Sequence, residues 1–154
     1  MFKTIIICTF LFNSLFPFNQ NIVMEKTHAE VGIHSIEEDG DDVIINIYSI
    51  SKVPVAGFQF QITPNDLFTI DTVFTPSNIE FDVHYNETGK ILAFSMSGKT
   101  IPISRSEYSK DNILLSIYAK KNKVFFNQVI GLDPTLANSL GKKINTKVIP
   151  YIYK

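Results

Sequence analysis

Between Val53 and Thr63 apolar residues alternate with amides, Val-Pro-Val-Ala-Gly-Phe-Gln-Phe-Gln-Ile-Thr, behind a proline that fixes where the run begins. Successive side chains of a strand point to opposite faces, so Phe58, Phe60 and Ile62 are predicted to enter a core while Gly57, Gln59 and Gln61 face outward. The outward set is uncharged and includes a residue with no side chain, a surface suited to a flat partner. The same period recurs elsewhere. Val31 and Ile33 on one side, and Val43, Ile45 and Ile47 on the other, flank the acidic segment Glu37 to Asp42, whose Asp39-Gly40 pair predicts a hairpin turn. Ile79, Phe81, Val83 and Tyr85 alternate with Glu80, Asp82 and His84. The turn Asn86 to Lys90 then leads into Ile91 to Ser97, with Leu92, Phe94 and Met96 as the predicted apolar face.

Further strands are expected at Ile113 to Lys120, Val124 to Leu132 and Lys143 to Ile149, with a turn at Lys121-Asn122. Leu132 to Pro134 and Ser139 to Gly141 break the pattern into a loop, and Pro64 to Phe68 is expected to form a single helical turn. Short strands separated by Gly, Pro and Asn turns, with no helical periodicity, predict an all-β fold, a β-sandwich with jelly-roll or Greek-key connections. The predicted core is Val43, Ile45, Ile47, Phe58, Phe60, Ile62, Phe81, Val83, Phe94, Ile113, Leu115, Ile117 and Val129. No repeat or linker is visible, so one domain from residue 25 to residue 153 is expected.

Ahead of this domain, Lys3 precedes an almost unbroken apolar run from Thr4 to Phe18. The run is shorter than the roughly 18 to 20 residues that cross a bilayer, and its charged front end fits a signal peptide over residues 1–22, cut between Ser14 and Val23. Retention of the segment would instead make it a membrane anchor. Secretion is the expected fate. Removing the leader also removes Cys8, the single cysteine, so thiolate nucleophiles, zinc-thiolate sites and disulfides are not expected of the mature chain. The formal charge is −1, becoming −2 with the loss of Lys3, and the only basic cluster is Lys120, Lys121 and Lys123. That balance gives no footprint for nucleic acid.

Chemistry-bearing residues are few, and each has a plainer reading. His28 and His34 would share a face on a continuous strand and invite a transition metal, but no third ligand is near them in sequence. His84 with Glu80 and Asp82 reads as a solvated strand face before an acid-base cluster. Glu37 to Asp42 has the oxygen density for calcium without the alternating ligand spacing of a calcium loop. Ser95, Ser97, Ser104 and Ser106 lack a Gly-x-Ser-x-Gly elbow, and nothing marks Glu80, Asp82, Glu87 or Glu107 as a glycosidase pair. No cofactor is expected, and the chain reads as non-enzymatic. Asn86-Glu87-Thr88 is a glycosylation sequon on an exposed turn.

Two groups of residues remain as candidates for binding. One is the Gly57, Gln59 and Gln61 face, suited to a protein partner. The other is Tyr48 and Tyr118, out of phase with the apolar faces of their strands and so candidates for an outward sugar-stacking platform in a chain without tryptophan. Against the platform, Ile44 and Ile50 share the face of Tyr48, which would then be covered.

Val55-Ala56-Gly57-Phe58-Gln59-Phe60-Gln61-Ile62, followed by Pro64-Asn65-Asp66-Leu67, resembles the cohesin pattern of a glycine-aromatic strand running into a turn. Gly89 to Ser95, Asn112 to Ile117, and Leu132 to Asn138 with Gly141 and Ile144 are similar to later cohesin segments, in the same order. The resemblance spans roughly Val31 to Val148 and implies a jelly-roll sandwich of about nine strands. It also implies an extracellular, non-catalytic binding module, in a family whose context is polysaccharide degradation and whose sandwich is shared with carbohydrate-binding modules. The implied partner is a dockerin-like protein module or a polysaccharide. In cellulosomal cohesins an Asn and an Asp near the start of the glycine-aromatic strand recognise the dockerin; the matching positions here are Gly57 and Gln59. The alternative is a structural component of a cell surface or virus particle, with no glycan ligand.

Overall fold

A computed structural model describes residues 28–104 and 112–154. The leader with Cys8, and Ser106, Glu107 and Tyr108, lie outside the described residues. Among the described residues twelve strands form two sheets: β1 (Ala29–Asp39), β2 (Asp42–Ser51), β3 (Gly57–Thr63), β4 (Phe68–Phe74), β5 (Asp82–Tyr85), β6 (Lys90–Phe94), β7 (Ile113–Lys121), β8 (Gln128–Leu132), β9 (Thr135–Ala137), β10 (Lys143–Ile144), β11 (Thr146–Ile149) and β12 (Tyr151–Tyr153). The first sheet runs β11-β1-β2-β7-β4, and the second runs β10-β9-β3-β6-β5 with β8 on β3 and β12 on β8. The all-β sandwich expected from the sequence is the architecture observed.

The β1–β2 hairpin forms as expected. Gly40 and Asp41 make a two-residue turn, and Gly40 has φ 65°, a left-handed conformation that strains residues with a side chain. Ile45 and Ile47 of β2 and Leu115 and Ile117 of β7 reach the core from the first sheet, and Phe58, Phe60, Ile62 and Ile91 from the second. Phe58 and Phe60 stack at 4.9 Å, and Phe81 stacks on Phe58 at 6.0 Å. Phe81 and Val83 pack against this cluster while partly buried.

Three expected core residues sit elsewhere. β6 faces its neighbours through Ile91 and Ala93, which lie opposite Phe60 and Phe58, so Leu92 and Phe94 are on the outer face. The small Ala93 is set against the large Phe58 ring, which already fills the space between the sheets. Val129 is also outside, 52% exposed, because Ile130 and Leu132 continue the inward face of β3 and Val129 pairs outward with Ile152. Ile113 is only half-buried, since a bulge between Ile47 and Tyr48 shifts the β2–β7 register and Leu114 takes the inward place.

Element boundaries shift as well. β5 begins at Asp82, and the Lys121-Asn122 turn is instead a loop over 122–127 that carries the chain from the first sheet to the second. Pro64 to Leu67 is a turn with no helical residue, Thr135–Ala137 interposes a strand in the expected loop, and Asn145 splits the last predicted strand into β10 and β11.

At one end of the sandwich, Glu38 accepts hydrogen bonds from Lys121 at 2.6 Å and from the Tyr153 hydroxyl, tying β1, β7 and β12 together. The Lys121 bond, with that from Tyr153, holds the Glu38 carboxyl below its ordinary range. Burial, with Glu38 beside it, pushes Tyr153 up. A lowered acid stabilises the fold above its unfolded pKa, and that contribution disappears as pH falls through the folded value. A raised tyrosine stabilises below its unfolded pKa, and that contribution disappears as pH rises through the folded value. Thermal melts should therefore fall below about pH 4 and above about pH 10. Glu38→Gln should flatten the acid limb and Tyr153→Phe the alkaline limb. Phe60→Ala should cost about 3–5 kcal/mol in urea unfolding.

Candidate functional site

The register of the second sheet lays its outer face out in rows. Ala137, Gly57, Phe94 and Asp82 form one row across β9, β3, β6 and β5; Thr135, Gln59, Leu92 and His84 form the next; Gln61 and Lys90 form a third. The face thus has an uncharged centre. Leu92 is 41% exposed, and the His84 ring stacks on Phe94 at 5.8 Å and 19°. Met96 and Leu140 are exposed in the loops that follow β6 and β9.

Gly57, Gln59 and Gln61 all lie half-buried on this face, where the alternation put them. A Cβ at Gly57 would sit 3.4 Å from the Phe94 Cβ and 3.3 Å from the Ala93 carbonyl, so the glycine lets Phe94 settle against β3. Gln61 donates to the Thr88 carbonyl at 2.9 Å, anchoring the β5–β6 turn to β3. Gln59 is the one of the three whose side chain lies at the centre, between Thr135 and Leu92. The sequence gives no signal for the outward placement of Leu92 and Phe94, because all four residues from Ile91 to Phe94 are apolar.

Tyr48 does not present its ring. It is 3% exposed on the outer side of the first sheet, opposite Gly32, where a Cβ would come within 2.7 Å of Tyr48 Cε1. Its hydroxyl donates to Glu30 at 3.1 Å. The ring fills the space left by the glycine, which removes Tyr48 from the stacking platform. Tyr118 is 41% exposed and meets Phe74, 54% exposed, edge-on at 5.2 Å. These two rings sit on the outer face of the first sheet beside a groove of about 640 Å³ lined by residues including Glu37, Ile44, Asp71, Thr72 and Tyr118.

His28 and His34 do not form a continuous strand face. The register passes from Ile33 opposite Ile47 to Ser35 opposite Asn46, so His34 occupies a bulge. Among the described residues no three His, Cys, Asp or Glu side chains group to hold a metal ion. Glu80 is paired with Lys99, and Ser95 and Ser97 lie 3.1 Å apart through their hydroxyls. The Asn86 Oδ1 accepts from the Thr88 hydroxyl and the Lys90 amide, both at 3.0 Å, on an exposed turn next to Gln61.

No protein-family model matches the chain, and no curated protein matches it by sequence. Solved structures do match in fold. A chain in the crystal structure of a dockerin–cohesin complex, CaDoc0917 with CaCohA2, is 18% identical, with a TM-score of 0.50 over 82% of this chain and 99% of that one. A non-cellulosomal cohesin from the hyperthermophilic archaeon Archaeoglobus fulgidus is 11% identical, with a TM-score of 0.55 over 83% of this chain and 92% of that one. The fold is cohesin-like, as the strand motifs implied. Gln59→Ala should leave the melting temperature within about 2 °C of the parent, because a half-buried surface amide removed outside the core changes stability by less than about 0.5 kcal/mol.

Proposed function

We propose that this chain is a non-catalytic docking module that binds a protein partner on the outer face of β9-β3-β6-β5. The observation that carries the reading is the exposed Leu92 beside the half-buried Phe94 at an uncharged sheet centre, with Gly57 and Gln59 between them and β9. Apolar area at the centre of a face with polar residues at its edges is the composition of a protein interface. The cohesin-like fold, seen in one case in a complex with a dockerin, supports a dockerin-like module as the partner. The apolar run from Thr4 to Phe18 supports export of the domain, residues 25–153, to an extracellular setting. Among the described residues no helix is long and apolar enough to cross a membrane.

Polysaccharide binding has less support on this face, which carries no exposed tyrosine platform; the burial of Tyr48 leaves Tyr118 without the companion that reading required. A purely structural assembly role predicts no capture of any soluble module.

The test is capture of recombinant dockerin modules by the immobilised protein, with insoluble polysaccharides as a parallel arm. Leu92→Asp should weaken capture at least about 30-fold, since a charge buried without a partner at an interface costs about 2 kcal/mol or more. Its melting temperature should stay close to the parent's, because Leu92 packs into no core. Capture that survives Leu92→Asp would move the interface to another surface, and retention on a polysaccharide that is lost in Tyr118→Ala would replace the protein-docking reading.

A further inference from the structure

The outer face of the first sheet carries a second surface whose chemistry differs from the first. The ladder places Glu37, Ile44, Tyr118 and Thr72 in one row across β1, β2, β7 and β4, and Ser35, Asn46, Ser116 and Phe74 in the next. The second row is stitched by hydrogen bonds. Ser116 donates to Asn46 Oδ1 at 2.6 Å, and the Asn46 amide donates to Ser35 at 3.0 Å and to Glu37 at 3.1 Å. Asn46 thereby fixes the Glu37 carboxylate at one side of the Ile44–Tyr118 floor. On the other side a bulge between Ile70 and Thr72 puts Asp71 on the wall of the same groove.

Charge decides what such a groove holds. Five carboxylates line it, Glu37, Glu38, Asp39, Asp42 and Asp71, against one lysine, Lys120. Lys120 pairs with Asp42 at 3.3 Å, and Lys121 pairs with Glu38 at 2.6 Å. Three negative charges therefore remain uncompensated around an aromatic floor, in a chain whose net charge is only −1. A neutral sugar would stack on Tyr118 and donate hydroxyls to single carboxylates, but it would leave the net negative charge uncompensated. A cationic side chain gains twice, through its carboxylate contacts and through the face of Tyr118.

We propose that this groove is a second binding site, distinct from the β9-β3-β6-β5 face, and that it takes a basic, arginine-containing peptide segment of a partner protein. The aliphatic stem of the arginine lies on Ile44 and the Tyr118 ring, and its guanidinium reaches Glu37 or Asp71. The bulge at Asp71 and the Asn46 clamp on Glu37 keep both acceptors in place before the ligand arrives, so little ordering is needed on binding.

Fluorescence anisotropy of a labelled hexa-arginine peptide on the full chain tests this, with soluble cellohexaose and xylohexaose as neutral competitors. Binding should weaken by at least tenfold between about 0.01 M and 1 M salt, over which the screening length shrinks from about 30 Å to about 3 Å. The variants Asp71→Asn and Glu37→Gln should each raise Kd about threefold to fivefold, as should Tyr118→Ala. Leu92→Asp on the opposite sheet should not weaken it. Circular dichroism melts of all four variants separate lost binding from lost folding, and Asp71→Asn alters an exposed side chain with no core contact. Absence of binding at low salt would overturn the site. So would binding unaffected by both Asp71→Asn and Tyr118→Ala, or displacement of the peptide by a neutral hexasaccharide, which would assign the groove to a glycan.

Discussion

The stacked rings of Phe58 and Phe60 are the constraint around which the rest of the sandwich is arranged. They lie on the inward side of the strand that pairs with β6, β8 and β9, so their placement fixes which face of three other strands turns inward. Because the side-chain period is two, a one-residue slip in β3 would send Gln59 and Gln61 into the core and expose both rings. The burial of two amides without partners would oppose that slip as strongly as the loss of the rings. The inward pattern of β3 thereby determines the outward one, and the candidate docking surface is a by-product of how the core is filled.

The parts of the fold that were legible in the sequence are those where alternation is unambiguous. In β3 every second residue is apolar and the intervening ones are polar or small, so phase can be assigned from the chain itself. β6 is different. Ile91, Leu92, Ala93 and Phe94 are all apolar, and periodicity cannot say which pair faces in. The choice is made by volume: Phe58 and Phe60 leave room opposite them for Ile91 and for the methyl of Ala93, so the larger Leu92 and Phe94 are expelled to the surface. The same ambiguity in Val129-Ile130 was resolved by pairing with β3. Density filling is a property of two sheets together and has no local signature.

The candidate site was half legible for the same reason. Gly57, Gln59 and Gln61 followed from the alternation of their own strand. The alternation of its own strand leaves Tyr48 either outward or covered, because its burial depends on a glycine sixteen residues earlier, brought opposite by the hairpin register. The Phe74–Tyr118 contact joins strands far apart in sequence, and its carboxylate neighbours come from the hairpin and from a bulge in β4. Neither a bulge nor a cross-strand ring contact can be read from one strand at a time. The resulting molecule has two sheet faces of opposite character, one uncharged and apolar at its centre, the other aromatic and acidic.

The first and the penultimate strands are parallel neighbours, with Ala29 opposite Thr146 and Gly32 opposite Ile149. Chain polarity therefore takes the two strands out of the same ladder in a way that matters under tension. A force that draws residue 28 one way and residue 154 the other slides β1 against β11 along their length, once the short β12 contact has given way. Their hydrogen bonds are then strained together rather than opened one after another. The arrangement makes the domain a stiff mechanical link along the line joining its ends, and a weaker one to forces that peel an edge strand such as β4 or β5 from its sheet.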